Sequence, residues 1–280
     1  MQNKETFNTL LSLMARQPWL SGKNEALSNM LFEECRCIRT REMLIEILSD
    51  FFYLSSQSYM QSLEALTLEV IGENNIESET QIVAMAGGTS ADSSQSVLYD
   101  LKYYFTKHGW KSLKSVTSFG SAYKTYRRTG HKNIIVVDDF VGSGQTVIGR
   151  HTEILRVFKN AGVVDFKISF KVLVSTEFGL QAVKNAGVEI TAQHVIKKAI
   201  DDNYPEELAG EYRDLMVAFE NCLSKEFNGI QIPSLGYNGA QAAYCREKAN
   251  SPNSVFPVFW WPVSDSDEDR LTLLYRAMGD

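Results

Sequence analysis

The sequence predicts an α/β protein with a doubly wound, mostly parallel sheet, preceded by an all-α segment. Three observations predict this class. A continuous run of branched aliphatic residues, Ile134 to Val137, is typical of a strand that is buried on both faces of a parallel sheet. Strand-like and helix-like segments alternate from Gln81 onwards. Residues 1–75 instead carry apolar side chains at helical spacing.

The composition and charge of the chain argue against several other classes of protein. The chain has 280 residues, of which 44% are hydrophobic and 22% charged, as in ordinary globular proteins. A net charge of −6 argues against bulk binding to nucleic acid or to an anionic membrane. No apolar run approaches the roughly 18 residues that span a bilayer. The four cysteines lack zinc or disulfide-framework spacing, so we expect reduced thiols in a cytoplasmic protein.

The first region, residues 1–75, is predicted to be helical throughout. Apolar periodicity runs through 7–14, 26–34 and 41–73, and no strand is expected there. We expect this segment to cap the α/β part or to form a docking surface. The second region, residues 76–280, is predicted to be the α/β domain.

Within the second region the expected elements follow in order. Strands are expected at 82–85, 115–119, 134–137, 167–175 and 188–196, and helices at 93–106, 146–161 and 205–227. His194, at the end of a strand, is interpreted as structural. The order of strands and helices fits parallel strands joined by right-handed crossovers.

The most informative stretch is NIIVVDDFVGSGQTV, which starts at Asn133. Asp138 and Asp139 follow the aliphatic strand, at the edge of the sheet where open α/β folds bind ligands. The loop behind them offers closely spaced backbone N–H groups and two hydroxyls ahead of a helix, which suits a phosphate. That loop consists of Gly142, Ser143, Gly144, Gln145 and Thr146. Two carboxylates would repel a bare phosphate, so they should address sugar hydroxyls, a developing positive charge or a divalent ion on the same molecule.

Residues 134–146 resemble, without gaps, the fingerprint of the type I phosphoribosyltransferases: a hydrophobic strand, two acids, two mostly apolar residues and a five-residue loop. The resemblance implies that Asp138 and Asp139 hold the ribose hydroxyls of phosphoribosyl pyrophosphate. It also implies that residues 142–146 cradle the 5-phosphate and that Mg²⁺ is the cofactor, contacted only indirectly by the two acids. A P-loop is excluded because no Lys follows Gly144, and the spacing of Gly142, Gly144 and Gly149 does not fit a dinucleotide fingerprint. The alternative is an ordinary turn in which the acids start the bend.

The same resemblance implies a pyrophosphate-binding loop after the first strand. Its residues are Ala86, Gly87, Gly88, Thr89 and Ser90. Many family members carry a basic residue just before the paired glycines, whereas this chain has Ala86. Magnesium or a residue from elsewhere would then neutralise the pyrophosphate. An ordinary strand-to-helix turn is the alternative.

Basic residues concentrate between the second and third predicted strands, although the chain is acidic overall. Lys124, Arg127 and Arg128 are expected in a loop there. In the family a mobile loop at this position closes over the reacting centre, so the resemblance implies that these cations meet the leaving pyrophosphate. A solvated hairpin tip is the alternative.

The last block of sequence combines polar turns with large aromatics. It is similar to a branch of phosphoribosyltransferase-like proteins in prokaryotic conflict and defence gene neighbourhoods, including retron-type effectors, where a Gly-Tyr segment precedes an Asn-x-Pro-Asn turn and a Trp. This resemblance implies an acceptor pocket formed by Tyr237, Asn250, Asn253 and Trp260. The alternative is that the aromatics close the edge of the core.

Together these features predict a magnesium-dependent transfer of the phosphoribosyl group to a nitrogen acceptor: a base, a nucleotide or a macromolecule. Gly142 occupies the position of the loop Asp that accepts a proton in members acting on 6-oxopurines, which disfavours that acceptor class. A non-catalytic module that senses the ligand or regulates a partner is the alternative. A third interpretation is an effector held by a protein partner in a defence complex, and a homo-oligomer is compatible with all three.

Overall fold

The computed structural model describes residues 2–73, 76–87 and 92–278. The chain divides into two compact units. Ser56–Ile196 is the sheet unit, and Met1–Ser55 together with Lys197–Asp280 is the composite unit. These borders differ from the division at residue 75 expected from the sequence. That division, with residues 1–75 as a cap or docking surface, stays a prediction.

The elements are numbered along the chain. The helices are α1 Gln2–Arg16, α2 Asn24–Ser28, α3 Ile38–Ser49, α4 Ser56–Gly72, α5 Ser93–Lys107, α6 Ala122–Thr129, α7 Gln145–Asn160, α8 Glu177–Asn185 and α9 Glu206–Glu220. The strands are β1 Phe52–Leu54, β2 Thr80–Ala84, β3 Lys114–Val116, β4 Asn133–Val141, β5 Lys167–Thr176, β6 Ile190–Ile196, β7 Glu226–Phe227, β8 Ile230–Gln231 and β9 Tyr244–Arg246.

The sheet unit contains a five-stranded parallel sheet in the order β3-β2-β4-β5-β6. Strand β4 is central, and Ile135 pairs with Ile82 of β2 and with Ser169 of β5. Residues 134–137 are at most 2% exposed because both faces of β4 are covered. The doubly wound α/β class, with helices leading the chain, is therefore confirmed.

Helices cover the sheet in two groups. In the first group, α4 and α5 contact each other; α5 also contacts β2 and β4, and α4 contacts β5 and β6. In the second group, α7 contacts α6 and α8. Right-handed crossovers between parallel strands place these groups on opposite faces. Each helix that follows a strand therefore begins at the carboxyl edge of the sheet, where its N–H groups point toward any bound ligand.

Residues 122–129 form helix α6. The prediction that Lys124, Arg127 and Arg128 lie in a loop is therefore wrong. Tyr123 and Tyr126 lie three residues apart and pack against the ring of Phe158 at centroid distances of 5.2 and 5.3 Å. Burying one aromatic side chain stabilises by roughly 2 to 3 kcal/mol, which fixes this face of the helix. Gly130, with φ of 77°, ends it in the left-handed conformation.

Two further expectations are corrected. Residues 1–75 are not free of strands, because β1 pairs in parallel with the distant β9. Three residues are too few to carry a strand pattern, and the partner lies almost 200 positions further along the chain. Helix α9 ends at Glu220 and not at residue 227, because the chain turns at Cys222 and Leu223, whose N–H groups bond to the carbonyls of Phe219 and Glu220.

The composite unit has its own core. Phe256 and Trp261 are fully buried, and Arg270, whose side chain is 3% exposed, pairs with Glu34 at 2.6 Å. On its surface Arg39 of α3 pairs with Glu211 of α9 at 2.7 Å. Across residues 2–73, 76–87 and 92–278, no helix combines the length and apolar character needed to cross a membrane.

Candidate functional site

The two adjacent acids lie inside strand β4, which continues two residues beyond them to Val141. Asp138 pairs in register with Val172 of β5, so its backbone is fixed by the sheet. Successive strand residues point to opposite faces, so the two carboxylates flank the same strand end from different sides. The Asp139 N–H donates to Oδ1 of Asp138 at 2.9 Å, which orients the first carboxylate.

Asp139 is held from helix α5. It is 7% exposed, and the Ser93 hydroxyl donates to its Oδ1 at 2.7 Å. Ser93 is in place because Asp92 caps the helix, accepting from the Ser94 N–H at 2.8 Å. The Ser94 hydroxyl in turn accepts from the N–H of Ala86 at 3.0 Å. One hydrogen-bond network thus joins the end of β2, the start of α5 and the acids of β4.

The Asp138 carboxyl is in an unfavourable setting for its charge. Desolvation raises its pKa well above the usual range, and the negative charges of Asp139 and Asp92 raise the pKa further. Asp138 as a whole residue is half-buried. A cation or a set of hydroxyl donors at this point would stabilise the ionised form.

The loop after β4 is a tight bend before α7. Gly144 has φ of 78°, and a Cβ there would lie 2.8 Å from the carbonyl oxygen of Gly179. Thr176 clamps the bend, because its hydroxyl donates to the Gly142 carbonyl while accepting from the Gly179 N–H at 2.9 Å. Only glycine fits at position 144, and a Cβ on Gly179 of α8 would clash with the Gly142 carbonyl oxygen.

The five predicted phosphate-binding residues differ in access. Gly142, Ser143 and Gly144 are buried in the bend, whereas Gln145 and Thr146 are exposed at the first turn of α7. The first N–H groups of a helix have no partner within the helix, and the dipole there favours an anion. The geometry suits a phosphate at the start of α7; assignment of the individual residues stays a prediction.

The predicted pyrophosphate loop is described only in part. Gly88, Thr89 and Ser90 lie outside the described residues. Ala86 is buried and anchored to Ser94, and Gly87 is exposed beside it. The strand end that leads into this loop therefore meets the network that holds Asp139.

The predicted cations and acceptor residues are placed as follows. Lys124, Arg127 and Arg128 are exposed on α6, within the sheet unit. The Gly-Tyr and Asn-x-Pro-Asn segments meet in the composite unit, because the Tyr237 N–H donates to the Asn253 carbonyl at 2.9 Å.

Their side chains differ in what they offer an acceptor. Tyr237 is 45% exposed, and Asn250 accepts from the Ala277 N–H at 3.3 Å. Trp260 is 2% exposed and donates its indole N–H to Val255, so its ring belongs to the core. The acceptor-binding role of this group stays a prediction.

Sequence reasoning missed two contributors to the site. Ser93 carries no motif of its own, although the Asp-Ser-Ser run at 92–94 is a helix start signal that could have identified it. Arg150 of α7 lies against Gly87, and no short-range pattern links residues so far apart in the chain.

The donor set bears on a metal ion. Among the described residues there is no group of three or more His, Cys, Asp or Glu side chains that could hold one. Mg²⁺ commonly takes only one or two carboxylates and completes its shell with substrate phosphates and water. Asp138 and Asp139 are compatible with an ion that the substrate holds and that the two acids approach only indirectly.

A family model described as PRTase-CE matches residues 32–276, which is most of the chain. The chain belongs to the PRTase-CE family. The phosphoribosyltransferase-like resemblance drawn from residues 134–146 is thereby confirmed, while the defence branch stays a prediction. No curated protein matches this PRTase-CE chain significantly.

Two solved structures resemble the PRTase-CE chain. One is a hypothetical protein from Neisseria gonorrhoeae with bound ppGpp, at 13% identity and a TM-score of 0.34, covering 60% of this chain and 97% of that one. The other is the xanthine-guanine-hypoxanthine phosphoribosyltransferase of Helicobacter pylori, at 14% identity and a TM-score of 0.30, covering 55% and 86%. Both likenesses are weak.

Proposed function

We propose that this PRTase-CE protein binds phosphoribosyl pyrophosphate with Mg²⁺ and transfers its phosphoribosyl group to a nitrogen acceptor. One observation carries the proposal. The end of β4 combines Asp138, whose pKa is raised by burial, with a glycine bend that leads directly into the N-terminus of α7. A phosphorylated pentose suits both parts: its hydroxyls and the positive charge that develops on it suit the acids, and its phosphate is an anion of the kind that a helix N-terminus favours.

In the proposed reaction, the bond between C1 of the ribose and the pyrophosphate oxygen breaks, and the oxygen keeps the electron pair. The lone pair of the acceptor nitrogen forms the new C1–N bond, and the proton displaced from that nitrogen passes to water. Asp138 and Asp139 orient the ribose hydroxyls and stabilise the positive charge that grows on the sugar. Asp138 and Asp139 would help to hold Mg²⁺ only indirectly, and the ion would supply positive charge for the phosphate oxygens.

A binding or regulatory module is the second candidate. It is favoured by Ala86, which stands where a basic residue is common, and by Gly142, which cannot accept a proton from the acceptor. Such a module would bind the same ligand through the same residues without releasing pyrophosphate.

Calorimetry with phosphoribosyl pyrophosphate and Mg²⁺, followed by a pyrophosphate-release assay over a panel of bases and nucleotides, separates the two. We expect binding and acceptor-dependent release. Binding without release for every acceptor would replace the transferase with the sensor. Absence of binding would contradict both.

We also propose a cytoplasmic role as a defence effector with a protein partner that contacts residues 1–75. Helix α1 supports this because Phe7 and Leu11 expose 63% and 55% of their surface. Co-purification of the full chain with products of its own operon tests the idea, and recovery of a partner that is lost in a Phe7→Ser, Leu11→Ser variant is the expected result. Failure to recover any operon product would contradict it.

A further inference from the structure

Arg150 of helix α7 is placed at the start of the predicted pyrophosphate loop. Its guanidinium lies so close to the backbone of Gly87 that a Cβ at that position would be 2.8 Å from Cζ. The same guanidinium lies over the ring of Phe119, with Cζ 4.2 Å from the ring centroid. The glycine therefore makes room for a cation at this point of the sheet edge.

The charge of Arg150 is not balanced within the described part of the chain. No carboxylate there forms an ion pair with it, and its Nε is buried without a hydrogen-bond acceptor. The Phe119 ring attracts a cation but accepts no conventional hydrogen bond. A partly desolvated guanidinium with open donors is unfavourable until an anion supplies the acceptors.

The position connects this cation to the acids. Gly87 follows Ala86, whose N–H is held by Ser94, and the neighbouring Ser93 donates to Asp139. Arg150 therefore approaches the end of β2 from the α7 face, while the serines approach it from the α5 face. A ligand with a ribose at Asp139 and a phosphate group beside Gly87 would meet the guanidinium.

We propose that Arg150 contacts the pyrophosphate group of phosphoribosyl pyrophosphate, supplying the positive charge that Ala86 does not. This inference rests on the proposed function. As the C1–O bond breaks, negative charge grows on the leaving group, and a guanidinium already in place stabilises it through charge-assisted hydrogen bonds. Packing on the Phe119 ring would explain where the Arg150 guanidinium lies. It would not explain why the buried Arg150 Nε has no hydrogen-bond acceptor.

The test measures three ligands by calorimetry in the presence of Mg²⁺: phosphoribosyl pyrophosphate, inorganic pyrophosphate and ribose 5-phosphate. Arg150→Gln should weaken the first two by about 10- to 100-fold, the range expected for a lost charge-assisted contact. It should leave ribose 5-phosphate within about twofold, since that ligand lacks the pyrophosphate. Arg150→Lys keeps the charge and should recover part of the loss.

Two further variants sharpen the result. Gly87→Ala keeps the charge but displaces the guanidinium, and should weaken pyrophosphate binding by an intermediate factor. Arg156→Gln removes an exposed cation from the same helix and should change nothing.

The outcomes separate the two proposals. Undiminished binding of phosphoribosyl pyrophosphate by Arg150→Gln, or equal loss of all three ligands, would overturn the role of Arg150 while leaving the proposed function standing. If the unmodified protein bound none of the three ligands, both proposals would fall.

Discussion

Two groups of charged side chains lie on neighbouring strands of the sheet unit, and they are built in opposite ways. Lys171 and Val172 of β5 pair in register with Val137 and Asp138 of β4. Lys171 is 1% exposed, yet it bonds to Glu69 of α4 at 2.8 Å and also to Glu73, which directly follows α4. Asp138 has a second carboxylate beside it and no cation paired with it among the described residues.

The pKa directions express this difference. Desolvation alone would raise the pKa of Glu69, but the Lys171 ammonium and the Thr191 hydroxyl bring the pKa below its usual value. For Asp138, desolvation and two like charges act together and raise the pKa. The first group is electrostatically complete and stabilises the fold. In the second group no cation is paired with Asp138 among the described residues, and a perturbed pKa of this kind is common at functional sites.

The largest expected effect comes from neutralising the two acids of β4. Asp138→Asn combined with Asp139→Asn should lower the affinity for phosphoribosyl pyrophosphate by about 100-fold or more, because hydrogen bonds to charged groups contribute roughly 1.5 to 3 kcal/mol each. The matched control is Glu73→Gln in the paired group, which should bind normally in the same calorimetric titration. If both variants lost the same affinity for phosphoribosyl pyrophosphate, the two groups of charged residues would not differ in the way proposed.

The paired group is tested by removing its cation. Lys171→Met should lower the free energy of unfolding by roughly 3 kcal/mol, because two partly buried carboxylates lose their partner. Adding Glu69→Gln and Glu73→Gln to the same variant should restore most of that loss. Urea unfolding measures both, and an unchanged midpoint for Lys171→Met would show that the pairing does not stabilise the sheet unit.

A smaller effect concerns Asp138 and pH. Because the folded-state pKa is raised, the protonated form is favoured by folding, so this group's contribution is present at acid pH and is lost as pH rises through the raised pKa. Asp138→Asn should therefore raise Tm at alkaline pH, because the variant has no carboxylate to ionise there. The gain should shrink at acid pH, and a fall in Tm at alkaline pH would contradict the account.

The centre of the site could be predicted from the sequence because its parts are contiguous. The aliphatic run, the acids, the glycine bend and the helix start all lie within residues 133–147, so the local pattern predicted the strand, although β4 continues to Val141, two residues beyond the acids. The parallel class of the sheet was predicted from the same run, because a strand that is covered on both faces carries apolar residues at successive positions and does not alternate with polar ones.

The supports of the site could not be predicted because they join distant segments. Thr176, at the end of β5, holds the bend by donating a hydrogen bond to the Gly142 carbonyl. Arg150 of α7 lies against Gly87, which follows β2. The basic stretch at 124–128 was misassigned for a different reason: its helical face is only two tyrosines wide, and they are anchored by Phe158 of α7. Such tertiary contacts override weak local propensity.

The most direct test is a crystal structure of the protein soaked with ribose 5-phosphate, the smallest ligand that would fill the site. The account predicts the sugar hydroxyls within hydrogen-bond distance of Asp138 and Asp139 and the phosphate at the start of α7, beside Thr146. A sugar phosphate bound elsewhere, with the end of β4 filled only by water at saturating ligand, would contradict it.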